Sequence, residues 1–107
     1  AIMIFHILID DVRDLHGMDI IIRTPEAAIE FLNTTDTTGH FVYMDNDLAV
    51  DGMEGYQILR LLLEFGQRPK KVVLVTSNPV AKQNMRNDLL DEGYQESPNR
   101  IEYDWPE

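Results

Sequence analysis

The chain has no cysteine, and that single absence removes disulfide frameworks, thiolate zinc sites and cysteine nucleophiles together. It fits a reducing compartment, and a cytoplasmic location is the expectation. Positive charge is scarce: 9 Lys and Arg stand against 19 Asp and Glu, a formal charge of −10 at pH 7. A surface of that sign repels nucleic-acid phosphates and anionic lipid at long range, so neither direct nucleic-acid binding nor membrane binding is expected. No apolar run is long enough to cross a bilayer. The most apolar stretch, Ile2 to Ile9, also lacks the basic leader and small-residue cleavage site of a signal peptide, and reads as a core strand. Glycine and proline are few, 6 and 5, and fall between elements as punctuation.

What is present is globular: 44% hydrophobic and 26% charged residues in 107, enough for one domain, residues 1–107, with one core. Ile2 to Ile9 shows no alternation, as in a parallel-sheet strand covered on both faces, and His6 inside it reads as a core side chain. Val12 to Asp19, with Gly17, is a loop. Ile20 to Ile22 is a second strand. Thr24-Pro25-Glu26 is a helix start, with a helix to about Leu32. Phe41 to Met44 is the third strand.

Asp51-Gly52 and Gly55 precede a strongly apolar helix in which Ile58, Leu59, Leu62 and Phe65 share a face and Gly66 is the stop. Leu61 and Leu63 give it a second apolar edge, fitting a helix wedged between neighbours. Val72 to Val75 is a fourth strand. Thr76-Ser77-Asn78-Pro79 leads into a helix with Ala81, Met85 and Leu89 on its core face and Gly93 at its end. Ile101 to Tyr103 is a weaker fifth strand. Right-handed crossovers then predict an α/β fold with a five-stranded parallel sheet of order 2-1-3-4-5.

Two of these strands end abruptly in acid: Ile9 gives way to Asp10 and Asp11, and Met44 to Asp45, followed by Asn46 and Asp47. In the order 2-1-3-4-5 the first and third strands are neighbours, so Asp10, Asp11 and Asp45 meet at the switch point where such sheets bind ligands. Three carboxylates at close range repel unless some are protonated or a cation lies among them. Oxygen ligands at this density suit Mg²⁺. The Thr76 hydroxyl and the capped helix start at Asn78 predict a phosphate cradle beside them.

These stretches, "IDDVRD", "YMDNDLAVDGMEGYQILR" and "VTSNPVAKQNM", resemble the cyclic-phosphate processing receiver domain family, a small receiver-like family of bacteria and their phages within the response-regulator superfamily. The resemblance implies a receiver-like (flavodoxin-like) three-layer sandwich lacking the first and last helices. It marks Asp10, Asp11, Arg13, Asp45, Asp47, Gly55 and Tyr56 in the first two motifs. In the third it marks Thr76, Asn78, Pro79, Asn84 and Met85. Asn46 stands where the family usually has His, and Ala81 where it usually has Gly. The lysine that ordinary receivers carry at the end of the fifth strand is missing, with Glu102 and Asp104 nearby.

Three functions follow as expectations. The first is an enzyme on a cyclic or small phosphate ester, a metal-dependent phosphoesterase. Asp10, Asp11, Asp45 and Asp47 would hold Mg²⁺ or Mn²⁺. Asp45, Arg13, Thr76 and Lys82 would carry the chemistry, and Thr76, Ser77 and Asn78 would bind phosphate. The second is a non-catalytic module gripping a partner protein, as a phage regulator of host machinery does. The third is a phosphoacceptor switch. The ligand is accordingly a small phosphate-containing molecule or a protein, and the oligomeric state is left open.

Overall fold

Each helix begins where the sequence supplies a cap. In the computed structural model, which describes residues 3–48 and 53–106, Thr24 Oγ1 accepts the Ala27 N–H at 3.1 Å and starts α1 (Pro25–Thr34). Asn78 Oδ1 accepts the N–H groups of Val80 and Ala81, both at 3.1 Å, and starts α3 (Pro79–Asp91). Both helices have proline at the first turn, where a missing N–H costs nothing. Between them lies α2 (Gly55–Glu64), which Glu54 and Gln57 open with a reciprocal capping box. Gly66 and Gly93 close α2 and α3 at φ +79° and +104°, angles that glycine alone adopts without penalty. The strands are β1 (His6–Ile9), β2 (Ile20–Ile22), β3 (Phe41–Met44), β4 (Lys71–Leu74), β5 (Gln95–Glu96) and β6 (Glu102–Asp104). Ile2, Asp51 and Gly52, named in the sequence reading, lie outside the described residues.

The sheet has the order β2-β1-β3-β4-β6-β5. Its first four strands are parallel and follow the predicted 2-1-3-4 order. Register decides what happens at their ends. Ile9 is level with Ile22 and Met44, and Met44 with Leu74, so Asp10, Asp45 and Val75 emerge side by side. Each is still tied to its neighbour: Asp10 N–H to Ile22 O at 3.0 Å, Asp45 N–H to Ile9 O at 3.0 Å, Val75 N–H to Met44 O at 2.9 Å.

The fifth position of the sheet differs from the expectation. After α3 the short β5 is followed by a hairpin, and β6 returns antiparallel between β5 and β4, with Lys71 level with Asp104 and Val73 with Glu102. The reason is local. Arg100 N–H bonds Ser97 O at 2.9 Å, and Asn99 Oδ1 accepts from Ile101 and Glu102, which closes a tight turn of the kind Asn favours. Glu102 and Asp104 therefore lie level with the body of β4, where both pair with Lys71 at 2.8 and 3.6 Å. They add no charge at the strand ends.

One hydrophobic core holds the described residues together. Ile7, Ile9, Val42, Met44, Val72, Leu74 and Tyr103 from one face of the sheet meet Ala28 and Leu32 of α1, Ile58, Leu59, Leu62 and Leu63 of α2, and Ala81, Met85 and Leu89 of α3. Helix α2 contacts both α1 and α3, which accounts for its second apolar edge. Leu63 is buried in that wedge, while Phe65, predicted on the core face, is 45% exposed past the helix end. Among the described residues, the helices pack on one face of the sheet. Of the alternate residues of β1, β3 and β4 on the other face, Leu8 is fully buried and His6, Phe41, Tyr43, Lys71 and Val73 are half-buried. His6 is thus not a core residue; its Nδ1 lies 3.1 Å from the Tyr43 hydroxyl.

Candidate metal and phosphate site

Asp10 ends β1 fully buried, a position a carboxylate holds only when its oxygens are satisfied. They are. Oδ1 accepts the N–H groups of Val12 and Arg13 at 3.1 and 2.9 Å, closing the turn out of the strand. Oδ2 accepts Arg13 Nη1 at 3.0 Å. The same Nη1 donates to the Val75 carbonyl at 2.6 Å. Arg13 therefore reaches across the sheet end, from the β1 loop to the end of β4. Arg23, just past β2, braces that loop from behind, with Nη1 bonded to Arg13 O at 2.8 Å and Asp10 O at 3.3 Å and an ion pair to Asp14. Sequence reading passed over Arg23; its placement right after a strand that pairs with β1 was the available signal.

Asp45 ends β3 at 6% exposure. Burial pushes its carboxyl above the usual range, and the charges of Asp10 and Asp47 add to that, against the Asn46 backbone N–H and the Arg13 guanidinium. Behind it, Asn46 is buried and fixes the start of α2. Its carbonyl accepts the Gly55 N–H at 2.8 Å, and its Oδ1 accepts the Tyr56 N–H at 3.2 Å. Gly55 admits no side chain, because a Cβ there would lie 1.8 Å from the Asp45 carbonyl oxygen. The Gly55-Tyr56 pair of the motif thus seats a helix against the backbone that carries Asp45.

Carboxylate oxygens of Asp10, Asp11 and Asp45 all lie within 4.8 Å of one another. The set is oxygen-only, convergent and partly buried, which fits a hard divalent cation in the Mg²⁺ and Mn²⁺ class. Asp47 is exposed beyond Asp45 and outside that set.

At the end of β4, Thr76 is buried and its Oγ1 accepts the Asn78 N–H at 3.1 Å, which leaves the hydroxyl proton available for donation. The start of α3 is more fully engaged than the sequence suggested. The N–H groups of Val80 and Ala81 go to the Asn78 side chain and that of Lys82 to the Asn78 carbonyl at 3.0 Å. Ser77 is exposed in the same turn and its N–H has no partner among the described residues. Lys82 lines a cleft with Pro79, Gln83, Arg86 and Arg100. Of the third motif's remaining positions, Met85 is core and Asn84 half-buried.

The model of the cyclic-phosphate processing receiver domain matches residues 5–91, a span running from β1 to the end of α3 and including every residue just described at the strand ends. No curated protein and no solved structure matches the chain. With the match covering most of its length and the acidic pair, the third-strand aspartate and the fourth-strand threonine at neighbouring strand ends, the chain belongs to the cyclic-phosphate processing receiver domain family.

Proposed function

We propose that the strand ends form a divalent-cation-dependent site that acts on a cyclic or other small phosphate ester. The observation that carries this reading is the convergence of Asp10, Asp11 and Asp45 within 4.8 Å, with Arg13 bonded to Asp10. Asp10 and Asp11 hold Mg²⁺ or Mn²⁺, with Asp45 as the third ligand. A cation bound there supplies a Lewis acid for a phosphoryl oxygen. Asp45, whose carboxyl burial holds above its usual range, is suited to accept a proton or to act as nucleophile. Arg13 keeps Nε and Nη2 free of hydrogen bonds among the described residues and offers them to phosphoryl oxygens. Thr76 donates its hydroxyl proton and Ser77 its N–H to the same group.

The test is a panel of cyclic phosphates incubated with millimolar Mg²⁺, comparing wild type with Asp45→Asn, which keeps size and removes charge. Product is expected from the wild type, with a loss of about 10²–10⁴-fold in the variant. Product that forms equally with Asp45→Asn overturns the assignment. A second reading, a non-catalytic module for a protein partner, is favoured by the sheet face opposite the described helices, with Phe41, Tyr43 and Val73. No turnover on any panel member, together with a partner whose binding is lost in Tyr43→Lys, selects it.

A further inference from the structure

The molecule spends most of its scarce positive charge on ion pairs. Six of its nine Lys and Arg side chains are paired: Arg13, Arg23, Arg60, Arg68, Lys71 and Arg86. Among the described residues Lys70, Lys82 and Arg100 form none. Two of these three line one cleft. It measures about 260 Å³, lies between α3 and the turn joining β5 to β6, and is lined by Pro79, Lys82, Gln83, Arg86 and Arg100. The other described cavities each carry at least one carboxylate: Asp36 in one, Glu64 in a second, Glu64 with Asp88, Asp91 and Glu92 in a third. In a chain of formal charge −10, a concave site lined by three cations and an amide focuses positive potential against the surrounding field.

The walls are held in place. Arg86 Nε donates to Glu96 Oε2 at 2.6 Å, and the Tyr103 hydroxyl lies 2.8 Å from the same oxygen and 3.1 Å from the Arg100 carbonyl. Glu96 is thus already bonded to Arg86, and no carboxylate is among the residues that line the cleft. Arg100 has φ +59°, and no other non-glycine residue among those described has positive φ. Asparagine and glycine take that conformation at lower cost, so an arginine here is kept at the expense of the turn, a pattern that accompanies functional positions.

We propose that this cleft binds a phosphate group, the second anionic group of a ligand whose first phosphate lies at Asp10, Asp11 and Asp45. The second half of that statement rests on the phosphate-site reading above. The cleft is smaller than the ~300–1,000 Å³ of pockets that enclose a whole small molecule, as befits a subsite for part of one. It also starts one residue from the crevice turn, since Pro79 lines it and Asn78 bonds Thr76. The ligand class is a small molecule carrying two separated phosphates, such as a nucleoside bisphosphate.

Amide spectra of the ¹⁵N-labelled chain test this in two arms. Inorganic phosphate, titrated without divalent cation, is expected to shift Lys82, Gln83, Arg86 and Arg100 saturably. The double variant Lys82→Gln/Arg100→Asn, whose asparagine suits the left-handed turn, is expected to weaken that binding at least tenfold while melting no lower than wild type. In Mg²⁺, a nucleoside 3′,5′-bisphosphate is expected to bind at least tenfold tighter than the matching monophosphate, an advantage the double variant loses. Absence of saturable shifts at the cleft, or equal phosphate affinity in the double variant, overturns the cleft. A bisphosphate advantage that survives the double variant overturns the link to the crevice. Failure of the metal site is read separately, as the absence of Mg²⁺-dependent shifts at Asp10 and Asp45.

Discussion

Burial, with the charges of Asp10 and Asp47 added to it, favours the neutral form of Asp45 over the ionised one. A carboxyl whose folded pKa is raised contributes stability that is full below its unfolded value, near 3.8, and is lost as pH rises through the folded value. In chelator, the wild type is therefore expected to lose stability over that window while Asp45→Asn does not. At pH 7 the variant should be the more stable of the two, read as the higher Tm. Added Mg²⁺ should reverse the ranking, raising the wild type and leaving the variant where it was. Thermal melts of both proteins across pH, with and without metal, check this. A variant that melts below the wild type in chelator at pH 7 would show that the carboxylate is stabilising by itself.

At the scale of elements, the site depends on how closely α2 approaches the end of β3. Gly55 lies where a Cβ would overlap the Asp45 carbonyl, and overlap with backbone is relieved only by moving one of the two elements. Gly55→Ala is expected to cost about 3 kcal/mol, the upper end of ordinary overpacking, and to weaken the Mg²⁺ response as Asp45 shifts. Urea denaturation gives the first and a metal melt the second; a variant within 0.5 kcal/mol of wild type, about the scatter of neutral surface changes, would mean that the contact yields easily. The caps at Thr24 and Asn78 were legible as sequence because capping uses residues two or three apart. The approach of Gly55 to Asp45 was not, since it depends on where a helix lands after crossing the sheet.

For the molecule as a whole, topology bears on whether Asp45 is a phosphoacceptor. Such a switch needs positive charge over the incoming phosphoryl oxygens. The sequence argued against it from Glu102 and Asp104, which the antiparallel β6 removes from the crevice. The conclusion survives on other grounds. The sheet position beside β4 is taken by a strand running the opposite way, so its last residues lie at the far end. Arg13, the cation that acts on Asp45, already shares its charge with Asp10 through Nη1, so in the proposed site it binds the substrate phosphate and does not replace the strand-end lysine of a phosphoacceptor. Acetyl phosphate with Mg²⁺ is expected to leave the protein unmodified by intact mass. A gain of one phosphoryl group, absent in Asp45→Asn, would restore the switch.

What the sequence by itself determined was whatever local chemistry decides. It placed strands where β-branched runs occur, helices where a cap precedes a 3.6-residue stripe, and the acids that end β1 and β3. The parallel order of the first four strands followed as well, because right-handed crossovers leave few alternatives. Tertiary structure decided the rest. It set β6 antiparallel, since a two-residue β5 and a side-chain-bonded turn carry no hydrophobic period to read. It set which way the side chains of β1 and β3 alternate, and so turned His6 and Tyr43 to the face opposite the described helices. It also separated the cations, giving Arg13 to the crevice and Lys82 to the cleft. Lys82 follows the Thr76 turn closely in sequence, but α3 starts between them, and only the packed fold says which way each side chain points.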